Sequence, residues 1–313
     1  MREPPRRILV TGASGFVGRH LLARLAAGFP DAELRCPTFD VRDRGAVEAA
    51  IGESRADVCV HLAGIAAPSA ARQDSDTAWQ VNLHGTLHVA DAIQQRLPRC
   101  KLLFASSADA YGASFRADRP VSEAAALAPL NLYSATKAAA DLALGSMARQ
   151  GLHVIRLRPV NHTGPGQSAQ FVVPAFARQV ARIAAGLQPP RIEVGNIDTS
   201  RDFLDVRDVC AAYAACVSRA DDLPPGTILN IASGEPRRIG DMLTELLLLA
   251  GVAADITVDM ARVRPDDLQA TAADASLARD LLGWAPTVPW RQTLQDVLVD
   301  WRARVVSEQQ GQA

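Results

Sequence analysis

Apolar positions in the first half of the chain follow two alternating periods. Short apolar runs at residues 8–11, 34–37, 58–62, 102–106 and 153–157 have the length and character of strands. Between them, apolar residues recur every three or four positions, the spacing of one helix face. Phe16, Val17, Leu21, Leu22 and Leu25 form one such stripe. Residues 43–51 form another, and Trp79, Leu83, Leu87 and Ala90 align within a long helix predicted over 76–97. A further helix is expected over 132–148. Strand alternating with helix predicts an α/β doubly wound parallel sheet covered on both faces. After Arg158 and Pro159 the rhythm loosens into prolines and short elements through Asp208, so a smaller, mixed α/β lobe is expected there. Residues 243–252 read as a buried helix and 307–313 as a frayed tail.

Composition narrows the classes without naming one. The 313 residues are 48% hydrophobic and 21% charged, with a net charge of −1. That balance leaves no electrostatic footprint for nucleic acid or an anionic membrane. No run approaches the ~20 apolar residues of a membrane span. Arg2, Arg6 and Arg7 make a basic start, but the apolar run behind them is too short for a signal peptide. Cys36, Cys59, Cys100, Cys210 and Cys216 are scattered, as expected of buried thiols in a reducing cytoplasm. Lys101 and Lys137 are the only lysines, which makes their positions informative.

Chemistry first appears where the strand at 8–11 meets Gly12, Gly15 and Gly18. Gly12 allows a tight turn, Gly15 lets the backbone approach a pyrophosphate, and Gly18 lets the next helix lie close to the strand. Ser14, Phe16 and Val17 complete the loop, and the pyrophosphate would rest on free amides at a helix N-terminus. A strand before the loop and a helix after it support dinucleotide binding in a Rossmann domain. That domain is expected over 1–160, with 204–230 returning to it. The substrate-binding lobe is expected over 161–203 and 231–313. Where the second strand ends, an NAD-selective site usually carries an acid for the ribose 2′-hydroxyl. Here Arg35 stands instead, either as an ordinary strand-end arginine or as a partner for a 2′-phosphate. This favours NADPH, with NADH as the alternative. Asp40, followed by Val41, is placed to accept from the adenine amino group or to act as a turn residue. Leu62, Ala63 and Gly64 close the third strand with little bulk near a cofactor.

Tyr133 and Lys137 share one face of a predicted helix, one turn apart. A phenol with pKa ~10 needs about 4 kcal/mol to move ~3 units towards neutrality. An ammonium ~4 Å away at an effective dielectric of ~20 supplies about that much. Such a phenol exchanges a proton with a substrate oxygen during hydride transfer, and Ser106 and Ser107 at a strand end offer a hydroxyl to orient that oxygen.

The glycine loop, the strand-end Ser107 and the Tyr133/Lys137 pair together resemble the extended short-chain dehydrogenase/reductase family of nucleotide-sugar epimerases, dehydratases and reductases. Asn82 to Thr86 and Leu282 to Pro286 carry the likeness over nearly the whole chain. The resemblance implies a Ser107–Tyr133–Lys137 triad, no metal, and a homodimer built on a four-helix bundle of the two long helices. Ala138, Ala139, Ala140 and Ala143 would permit its close approach. The segments Arg158 to Gly166 and Gly195 to Phe203 are similar to the GDP-mannose branch. By that likeness Asn161, Arg201 and Arg264 contact a diphosphate, Asp267 a ribose, and Phe171, Val172 and Arg178 the guanine. Arg201 also fits a surface ion pair with Asp202, Arg178 a solvated helix face, and His162 either substrate contact or structure. GDP-mannose 4,6-dehydratases carry a glutamate base where Asp109 stands, and an aspartate is one methylene short. The motifs around Ser107–Tyr111, Asn161–Gln167 and Arg201–Val206 look like GDP-4-keto-6-deoxy-D-mannose reductases, which form GDP-D-rhamnose. A 6-deoxyheptose analogue is the variant substrate and a dehydratase the alternative. A protein that senses a dinucleotide without turnover typically lacks the tyrosine–lysine pair.

Overall fold

The computed structural model describes residues 4–117, 119–263 and 268–310. In chain order the strands are β1 (Arg7–Thr11), β2 (Glu33–Arg35), β3 (Val58–His61), β4 (Lys101–Ala105), β5 (Val154–Pro159), β6 (Asn161–Thr163), β7 (Arg191–Val194), β8 (Ser200–Asp205), β9 (Ile228–Ile231), β10 (Pro236–Arg238), β11 (Asp255–Val258) and β12 (Ala270–Thr271). The helices are α1 (Phe16–Gly28), α2 (Arg44–Ser54), α3 (Pro68–Gln73), α4 (Ser75–Trp79), α5 (Thr86–Arg96), α6 (Leu132–Arg149), α7 (Val172–Ala184), α8 (Val206–Arg219), α9 (Ile239–Ala250), α10 (Ser276–Leu282) and α11 (Trp290–Gln310).

Six strands form a parallel sheet in the order β2-β1-β3-β4-β5-β9. Alternation along each strand sends side chains to opposite faces. Ile8, Val10, Val58, Val60, Leu103 and Ile155 pack towards α1 and α8. Leu9, Cys59, Leu102, Phe104 and Val154 pack towards α2, α5 and α6. Because both faces are buried, the strands read as continuous apolar runs. β2 stops two residues before the expected end, at a point where Pro37 has no amide to donate.

The helix expected over 76–97 is interrupted. Between α4 and α5, residues Gln80–Gly85 form a wider, π-helical turn. Its cause is local. The Asn82 amide turns inward to accept from Ile65 N at 2.8 Å and to donate to Thr136 Oγ1 at 2.9 Å. On the same turn a Cβ at Gly85 would stand 2.6 Å from Val41 Cγ2. Such single wide turns are a recognised way for a helix to re-aim side chains.

The second lobe gathers α7, α9 and α11 around Phe176, Val180, Leu243, Leu246, Leu294 and Trp301. β10, β8 and β12 run beside them with β6 paired to β8, while β11 pairs with β7. Two features differ from expectation. Ala273, Ala278, Leu282 and Trp284 pack in the first core rather than in the lobe. Trp284 Nε1 donates to Asp208 O at 3.0 Å, and the Asp208 carboxylate accepts from Thr287 N and Val288 N, which secures that return. Nor does the tail fray at residue 307: α11 continues to Gln310, and Glu308 pairs with Arg182 at 3.3 Å and Arg178 at 3.6 Å on α7.

Candidate active site

The loop after β1 is shaped by what glycine lacks. Gly12 has φ +69°, and a Cβ there would lie 2.6 Å from Ala63 N. At Gly18 a Cβ would stand 2.4 Å from Gly12 O and 2.5 Å from Ala13 O. Gly15 is the residue before α1 and supplies no side-chain cap, so the first amides of a 13-residue helix are left for an anion. This cradle fits a dinucleotide pyrophosphate. Ala63 N donates to Thr11 Oγ1 at 3.3 Å, which brings the end of β3 against the loop.

Behind the loop runs a chain of hydrogen bonds that sequence reading had not assembled. Thr11 Oγ1 meets His61 Nδ1 at 2.6 Å, and His61 Nε2 meets Thr86 Oγ1 at 3.1 Å. Thr86 Oγ1 donates to Asn82 O at 2.7 Å, Asn82 Nδ2 to Thr136 Oγ1, and Thr136 Oγ1 to Tyr133 O at 2.7 Å. The glycine loop and the tyrosine are therefore tied by one polar path. Burial, helped by the charge of Lys137, pulls the His61 pKa down to about 3, so the ring is a neutral relay. The available signal was the Asn82–Thr86 motif, whose partners lie far away in sequence.

Asn131 opens α6 by accepting from Ser134 N at 2.9 Å, and this cap sets Tyr133 in the first turn at the strand ends. Tyr133 is half-buried and shares a hydrogen bond with Ser107, whose Oγ also accepts from Asp109 N at 3.1 Å. Lys137 is buried, donates to Ala105 O, and lies 4.6 Å from the centre of the Phe104 ring. Burial dominates the electrostatics of both groups. Burial first, and the Asp109 charge second, push the Tyr133 phenol well above its ordinary value, with only the Ser107 hydrogen bond opposing. Burial also pulls the Lys137 ammonium down to about 8, against the charge of Asp141.

The other expected contacts fall in three places. Arg35 pairs with Glu33 at 2.7 Å, and Asp40 is gripped by the Arg42 guanidinium at 2.6 and 3.0 Å, which lowers its pKa to about 2. The Asp40 carbonyl also accepts from Asp43 N at 3.0 Å in a turn, while Val41 is buried. In the lobe, Asn161 pairs with Phe203 across β6 and β8, and Arg201 with Arg237 across β8 and β10. Asn161, Arg201 and Arg237 therefore share one sheet face. Arg201 Nη1 donates to Ser200 O and Leu268 O, at 2.8 and 2.7 Å. His162 Nδ1 meets Val160 O at 2.9 Å and its ring stacks on Phe16 at 6.3 Å. Arg178 lines a cleft of about 530 Å³ with Ala169, Ala175, Gln179 and Arg191, while Phe171 caps the start of α7 ahead of Val172. Arg264 and Asp267 lie outside the described residues. Among the described residues no cluster of side chains could hold a metal ion.

Comparison with known proteins gives a consistent picture. The model of the NAD dependent epimerase/dehydratase family matches residues 8–232. The chain is 38% identical over 306 residues to the GDP-6-deoxy-D-mannose reductase of Pseudomonas aeruginosa, covering 97% of this chain and 99% of that one. It superimposes on the structure of RMD from Pseudomonas aeruginosa complexed with NADPH with a TM-score of 0.86 at 35% identity, covering 96% and 99% of the two chains. A putative epimerase from Burkholderia cenocepacia gives a TM-score of 0.82 at 32% identity, covering 96% of this chain and all of that one. The match spans β1 to β9, the glycine loop and the tyrosine–lysine helix: the chain belongs to the NAD dependent epimerase/dehydratase family.

Proposed function

We propose that this protein reduces the C4 keto group of a GDP-4-keto-6-deoxy-mannose-type sugar with NADPH, forming GDP-D-rhamnose. The observation that carries the reading is Tyr133 in the first turn of α6, bonded to Ser107 and one turn from the buried Lys137, in a chain 38% identical to a GDP-6-deoxy-D-mannose reductase. NADPH, when bound, supplies the hydride. The chain does the rest. The loop from Gly12 to Gly18 receives the pyrophosphate, Ser107 orients the substrate O4, and Tyr133 delivers a proton to that oxygen as negative charge develops on it. Lys137 holds its charge next to the phenol and the cofactor ribose. Asn161 and Arg201 on the lobe's sheet face receive the diphosphate, for which arginine's planar fork is suited, and the cleft beside Arg178 receives the base.

A paired assay tests this. Purified protein is given GDP-mannose with NADP⁺, or GDP-4-keto-6-deoxymannose with NADPH, and the products are weighed. NADPH loss with a product two hydrogens heavier supports the reductase. Loss of water from GDP-mannose overturns it in favour of a dehydratase with Asp109 as the base.

A homodimer through the outer faces of α5 and α6, in a cytoplasmic setting, completes the proposal. Leu142 on α6 is 61% exposed and supports it. Ala138 and Ala140, expected at that surface, face the protomer's own core instead, so Ala139, Leu142 and Ala143 are the residues left for contact.

A further inference from the structure

One helical turn beyond Lys137, Asp141 is wholly buried. Its Oδ1 accepts from Arg156 Nη1 at 3.0 Å and Arg158 Nη2 at 2.7 Å, and its Oδ2 accepts from Arg158 Nε at 2.9 Å. Arg158, itself 3% exposed, reaches the Tyr111 hydroxyl at 2.8 Å, and that hydroxyl donates to Asn230 Oδ1 at 2.8 Å. Tyr111 belongs to the segment Ala108–Arg116, which also carries Asp109. The Ser106 hydroxyl lies beside the Asp141 carboxylate, short of full hydrogen-bond geometry. One buried network thus joins α6 to the strand end that carries Ser107.

A buried ion pair is weak evidence for stability, because well-packed apolar residues often serve as well. Ala138, Ala140 and Leu144 already provide α6 with such packing. What the carboxylate adds is charge. Arg156 and Arg158 on β5 and Lys137 on α6 are three cations in one buried region. His61 on β3 is neutral, and Asp109 acts on Tyr133 from the segment after β4. Arg72, Asp74 and Asp76, on and between the helices flanking α6, are exposed.

Resting on the role of Lys137 proposed above, we propose that Asp141 is a positioning residue for the reduction: its carboxylate keeps Lys137 charged and fixes the face that α6 turns to the strand ends. Burial alone already pulls that ammonium down, so removing the anion lets it lose its proton at lower pH. Removing a competing cation does the opposite.

The test is the alkaline limb of the kcat–pH profile in four variants. Asp141→Asn shifts the limb to lower pH by about one to two units, and Asp141→Glu restores it. Arg156→Gln shifts the limb to higher pH. Asp208→Asn, which removes a buried carboxylate from the loop at Thr287, lowers the melting temperature and leaves the limb in place. Opposite shifts in the Asp141 and Arg156 variants support the proposal. A limb unmoved in Asp141→Asn overturns it, and should that variant not fold, a limb unmoved in Arg156→Gln does so. If the wild-type protein turns over no GDP-4-keto sugar, the function proposal fails separately. The same shifts are then read from the pH dependence of NADPH affinity, followed by nicotinamide fluorescence.

Discussion

The loop that follows β1 and the sheet face that carries Arg201, both proposed to receive phosphate, are built by contrary means. The loop works through backbone: positions where a Cβ would collide at 2.4 to 2.6 Å, ahead of uncapped amides. The lobe works through long side chains that are partly engaged by the protein, as Arg201 is by the carbonyls of Ser200 and Leu268. A backbone cradle leaves a spacing in the sequence, because only glycine satisfies it. An arginine face leaves none, because any arginine reads the same until its cross-strand neighbour is known. A single methyl at Gly12 or Gly18 should therefore disturb the first site sharply, whereas the second should lose affinity by steps.

The sharpest test lies at the tyrosine that both regions are proposed to serve. Tyr133→Phe removes the proton donor and should lower kcat by about 10²- to 10⁴-fold while NADPH affinity stays near wild type. Fluorescence titration beside steady-state kinetics separates the two. Next, Gly18→Ala forces a Cβ into Gly12 O and Ala13 O. Overpacking costs of about 1–3 kcal/mol predict a loss of NADPH affinity of roughly 10- to 100-fold and a lower melting temperature. An affinity within twofold of wild type would break the contrast. Arg201→Met should raise KM for the sugar nucleotide by about tenfold with kcat changed less, since one charged hydrogen bond contributes about 1.5–3 kcal/mol. The smallest effect is expected at Arg35. Its pair with Glu33 is exposed and contributes little to stability, so Arg35→Ser should leave the melting temperature unchanged. It should raise KM for NADPH several-fold and leave KM for NADH alone, if the guanidinium turns to a 2′-phosphate.

What could be read beforehand follows the same division. The doubly wound sheet was legible because the buried strands are uninterrupted apolar runs and the helices keep one stripe. The glycine spacing and the Tyr133/Lys137 pair were legible because their partners lie within one turn. The π-helical turn was not, because Asn82 is drawn inward by Ile65 and Thr136. Nor was the Asp141–Arg158 pair, whose members lie on separate elements, or the return of Trp284 to the first core, fixed by Asp208. Pairwise Coulomb arithmetic between Tyr133 and Lys137 likewise leaves out the burial and the Asp109 charge that act on the phenol.

The central claim is that Tyr133 gives a proton to a C4 oxygen while hydride reaches the same carbon. Deuterium at the transferable position of NADPH tests it most directly, with GDP-4-keto-6-deoxymannose as acceptor and the product read by proton NMR. The account predicts one deuterium, bound at C4 of a GDP-linked 6-deoxyhexose with the manno configuration. A product without deuterium at C4, or consumption of GDP-mannose with loss of its C5 proton and of water, would contradict it.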